Sequence, residues 1–109
     1  MLIKFSALIL DIKNKPIIEN DTPFTLGQAV SNAMLAPHKD DDGISGKEKV
    51  ERFMIATTAA LEEDADMSVD DVALIKKMIA RYYAPLVCGR SFEIIEAKKP
   101  KLVETSEEK

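Results

Sequence analysis

What the chain has little of narrows it first. It holds one cysteine, Cys88, so no disulfide framework can staple it, and a reducing compartment suits it better than secretion. Its one histidine, His38, follows the helix-ending Pro37 in a polar loop. A general base there would need an oriented partner and a nucleophile, so His38 reads as an exposed loop residue. Glycine is sparse, and Cys88-Gly89-Arg90-Ser91 has one where phosphate-cradling loops need several. Long apolar runs are missing too. The stretch from Phe5 to Leu10 stops at Asp11, too soon for an export signal, and the longest uncharged stretch, 22–38, is interrupted by Pro23, Gln28, Asn32 and Pro37. No membrane span is expected, and the cytoplasm of a bacterial host is the expected compartment. There is no basic surplus either: the net charge is −4, which argues against direct nucleic-acid binding, since that depends on clustered Lys and Arg.

What is present suits one small domain. At 109 residues with 46% hydrophobic content, the chain has the material for a single core without a metal or a disulfide. Ile3, Phe5, Ala7 and Ile9 alternate with polar Lys4 and Ser6, predicting a strand over Leu2 to Ile12. Asn14-Lys15 predicts a two-residue turn into a short return strand, Ile17 to Glu19, with Pro16 at its first position. Thr25 with Gln28, and Ser45 with Glu48, are helix-start signatures. They predict one helix over about 26–35, ended by Pro37, and a second with Val50, Phe53, Met54, Thr57 and Leu61 on its core face. Ser68 with Asp70 and Asp71 opens a third, striped by Val72, Ile75, Met78, Ile79 and Tyr82. Pro85 opens a fourth, where Cys88, Phe92 and Ile95 share a face and Cys88 reads as a core residue. The expected fold is α+β: an N-terminal β-hairpin followed by three to four helices over 1–96, with a disordered tail over 97–109.

Charge is unevenly spread. Residues 1–37 balance, 38–71 carry eleven acids against four bases, and 72–109 carry eight bases against five acids. Asp40, Asp41, Asp42 and Gly43 invite comparison with a calcium loop, but a register that puts Gly43 at the turn leaves His38 and Lys49 at the two decisive carboxylate positions. Glu62, Glu63, Asp64 and Asp66 lack the glycine turn and the closing acid. No metal, cofactor or catalytic residue is therefore assigned, and the protein is not expected to be an enzyme. Tyr82 and Tyr83 beside Arg81 suggest a stacking platform, but they end a helix, where basic residues are ordinary.

The turn Asp11-Ile12-Lys13-Asn14-Lys15-Pro16-Ile17, then Thr25-Leu26-Gly27, Gly46-Lys47-Glu48-Lys49, Asp71-Val72-Ala73-Leu74-Ile75-Lys76 and Pro85-Leu86-Val87-Cys88-Gly89 together resemble a family of small bacteriophage and prophage proteins. The resemblance spans about residues 1–96 and implies a source and an architecture, not an activity. The layout is also similar, as an analogy of architecture, to phage tail-assembly chaperones. Two functions by protein contact follow as expectations: an accessory of virion assembly, or an early protein that binds a host factor. The acidic residues Asp40, Asp41, Asp42, Glu62, Glu63 and Asp64 are the candidate partner surface, steering a basic protein. Leu8, Ile9 and Leu10, apolar on both faces of the first strand, are the candidate surface for a homodimer.

Overall fold

Each of three helices starts on a hydroxyl side chain that accepts an amide its first turn leaves unpaired. The computed structural model, which describes residues 1–97, shows Thr25 accepting from the Gln28 N–H at 3.1 Å, Ser45 from Glu48 at 3.1 Å and Ser68 from Asp71 at 3.0 Å. Such caps contribute about 1 kcal/mol each. They set α1 at Leu26–Leu35, α2 at Gly46–Leu61 and α3 at Val69–Tyr82. A fourth helix, α4, runs over Pro85–Ile95 with its proline in the first turn, where a missing N–H costs nothing. Beyond Ala97 the expected tail lies outside the described residues.

The helices surround α1, which packs against α2 on one side and α3 on the other, with α4 alongside. Leu26, Ala29, Val30, Ala33 and Met34 of α1 meet Val72, Ile75, Met78 and Ile79 of α3 in one core. Tyr82, expected on that core face, is exposed; the chain leaves the helix there and half-buried Tyr83 packs on Phe24 instead. Cys88 is partly buried against the core's edge, and within α4 the residues turned fully inward are Arg90, Ser91 and Ile95.

The fold is α+β as expected, but the N-terminal segment is not one long strand over Leu2 to Ile12. Two residues, β1 (Leu2–Ile3), pair antiparallel with β4 (Ala65–Asp66), which falls within the acidic stretch between α2 and α3. The chain then turns, because the Phe5 and Ala7 carbonyls are taken by α1: the Gly27 and Leu26 N–H groups donate to them, each at 2.8 Å. These are first-turn amides that have no partner inside the helix.

Leu10 bridges Pro16 across a turn longer than the two residues expected. Asp11 accepts from the Lys13 and Lys15 N–H groups at 2.8 and 3.0 Å, and Asn14 takes φ 66°. The chain continues as β2 (Ile18–Glu19) and folds back as β3 (Thr22–Pro23) through Asn20-Asp21, both at positive φ. That pair of angles is the two-residue hairpin turn whose twist matches the strands. Three amides then close a ring: Ile9 donates to the Phe24 carbonyl (2.8 Å), Phe24 to Ile17 (2.8 Å), and Ile17 back to Ile9 (3.0 Å).

Candidate functional site

Helix α2 lies with the opposite face inward from the one its apolar stripe predicts. Val50, Phe53, Met54 and Leu61 are 55, 60, 61 and 75% exposed, while Ile55, Ala56, Ala59 and Arg52 are buried. Packing explains the inversion. Gly27 of α1 approaches the α2 backbone so closely that a Cβ there would overlap the Ala59 carbonyl oxygen. Only small side chains fit at that contact, so Ala56 and Ala59 take the inner face and the large residues of the stripe are left outside.

Arg52, 5% exposed, is a cation on the inner face, and its partners make that burial tolerable. Its Nε donates to the Met34 carbonyl (3.1 Å) and its Nη2 to that of Ala36 (2.9 Å), at the negative end of α1, while Nη1 pairs with Asp41 at 2.9 Å. Asp41 also accepts from the His38 N–H at 2.8 Å. That backbone bond, and then the Arg52 guanidinium, hold its carboxyl below the usual range. His38 is not the free loop residue expected: its Nε2 lies 2.7 Å from the Ala33 carbonyl, where it supports the end of α1.

The exposed stripe runs between two hollows. One, of about 250 Å³, is bordered by Leu35, Ile44 and Phe53; the other, of about 290 Å³, by Met54, Met67, Glu51 and Asp71. The result is a ridge of large flexible side chains with a groove on each flank. Such a surface has no reacting group, and what it does chemically is exclude water against another apolar surface.

The acidic candidates do not form one patch. Asp40 and Asp41 belong to the single 3-10 turn Lys39–Asp41 ahead of α2, and exposed Asp42 ends it. Glu62, Glu63 and Asp64 are exposed beyond the other end of the helix, a distance of about 24 Å for its 16 residues. Asp41 has a structural task in pairing with Arg52, and the Glu63 carbonyl accepts from the Ser6 N–H at 2.9 Å. Of the apolar candidates, Ile9 is wholly buried within its own chain, Leu8 is 40% exposed and Leu10 is intermediate.

The stripe residues were named from the sequence, but for the wrong surface. The signal that could have assigned them is the pair of small residues Ala56 and Ala59 on the other side of α2, where the Ala59 backbone meets Gly27. Among the described residues no group of three or more His, Cys, Asp or Glu is arranged to hold a metal ion, and no helix is long and apolar enough to cross a membrane. Comparison of the chain with protein-family models, with curated proteins and with solved structures gives no match.

Proposed function

We propose that this protein works by binding another protein chain through the exposed face of α2, and not by catalysis. The observation that carries this reading is the stripe itself: four large apolar side chains, each more than half exposed, on one face of a well-capped helix. Contiguous apolar surface on a small domain is costly in water and is characteristic of interaction sites. The resemblance to small phage and prophage proteins supports a phage-encoded source, and the similarity of layout to phage tail-assembly chaperones an accessory role in virion assembly, in the cytoplasm of a bacterial host. A gene lying among tail structural genes is the expected setting; early regulatory neighbours would favour a host factor as the bound protein.

A photoreactive side chain at position 53 tests the surface in producing cells, with the same group at exposed Ala73 of α3 as control. Covalent adducts are expected from position 53 and not from 73. If position 53 gives none, the stripe is not a contact surface.

A further inference from the structure

We infer that the chain seated on the α2 stripe is a second copy of this one, with the two α2 helices antiparallel. The inference rests on the contact function proposed above and specifies its occupant. The stripe has the symmetry a twofold interface demands, in which each patch must be complementary to itself. Turned end for end, Val50 of one copy lies opposite Leu61 of the other, and Met54 opposite Thr57. Phe53 of each copy then falls opposite Thr58 of the other, on the rim of the hollow that Met54 and Met67 border. The ridge and its flanking hollows match in the same way, because two ridges packed side by side each settle into the other's groove.

Charge selects this orientation over the others. Exposed Lys47 and Lys49 stand at the start of α2, interleaved with partly buried Glu48 and exposed Glu51, so that end is nearly neutral, whereas exposed Glu62, Glu63 and Asp64 follow the other end. An antiparallel pair sets the lysines of each copy beside the carboxylates of the other, at both ends, and also opposes the helix dipoles favourably. A parallel pair sets lysine against lysine and acid against acid. An antiparallel copy brings Lys47 and Lys49 to the acidic end and its own carboxylates to the lysines, at both ends of the face at once.

Sedimentation equilibrium of the full chain is expected to show a dimer with a dissociation constant in the micromolar range, and a strict monomer at about 100 μM would overturn the proposal. Phe53→Glu should weaken the dimer by about a hundredfold, since each interface contains the residue twice, and leave the far-UV spectrum unchanged. Orientation is tested by two charge-swapped chains, K47E/K49E and E62K/E63K/D64K. Each alone should dimerise about tenfold more weakly, and their mixture should recover the unmodified affinity as a heterodimer. A mixture no tighter than its components would overturn the antiparallel pairing. A monomeric protein that still gives adducts from position 53 removes the second copy and keeps the contact function; a monomer without adducts removes both.

Discussion

Gly27 lies in the α1–α2 contact and Asp41 pairs with Arg52, which bonds the end of α1, and each makes a separate demand. Gly27 is required because the Ala59 carbonyl occupies the place of a side chain. Gly27→Ala should destabilise the fold by about 1–3 kcal/mol through overpacking, although alanine is the better helix former. Urea midpoints at neutral pH measure it, and a stabilised variant would mean that the helices slide apart without cost. Asp41 makes the second demand. Its carboxyl is held below the ordinary range in the folded protein, so its contribution is complete above the unfolded carboxylate value, about pH 4, and is lost as pH falls through the folded value. Asp41→Asn is therefore expected to be less stable than the parent at pH 7, with the two curves converging on acidification. Denaturation followed from pH 7 to about pH 2 checks this, and a constant gap at all pH values would remove the ionised carboxylate, held by the His38 N–H and Arg52, as its cause.

At the scale of the element, α2 shows how a clear pattern can be assigned to the wrong environment. Its boundaries were legible because the Ser45 cap is local. The orientation was not, because periodicity reports the side on which large apolar groups lie, and not which side the neighbouring helix can approach. On the inner face Ile55 is the one large apolar residue and alanines do the rest, so their small size, which permits the contact, also weakens the signal. α3 was legible in full from Val72 to Ile79, since there the large residues and the close contact coincide. The inversion in α2 can be measured. Phe53→Ser should change monomer stability by no more than about 0.5 kcal/mol, as exposed substitutions do, whereas Ile55→Ala should cost about 2–5 kcal/mol. Reversed magnitudes would put the stripe back in the core.

For the whole molecule, what the sequence hid were pairings between distant residues. Strands β1 and β4 have two residues each, too few for any periodicity, and meet across most of the chain: the amino group of Met1 donates to Asp66 at 2.7 Å. Asn20-Asp21 lacks the glycine that advertises a two-residue turn, so the second hairpin has no strong signal in the sequence. The turn at Asp11–Lys15 is fastened from the far end of the chain as well, since Arg90 in α4 donates to the Asp11 carbonyl and the Asn14 side chain, each at 2.8 Å. Between these fastenings the ring of Ile9, Ile17 and Phe24 has a kinetic consequence. In an open hairpin the outermost bond frays first and the others follow in graded order. Here each of three segments donates to the next, so none can leave without breaking one bond as donor and another as acceptor. The three amides should therefore exchange with solvent deuterium through one shared opening event, at one opening free energy, despite their spread over the first quarter of the chain. Native-state exchange read residue by residue would show three coincident values. A graded series would mean that the ring opens like an ordinary hairpin, one strand at a time.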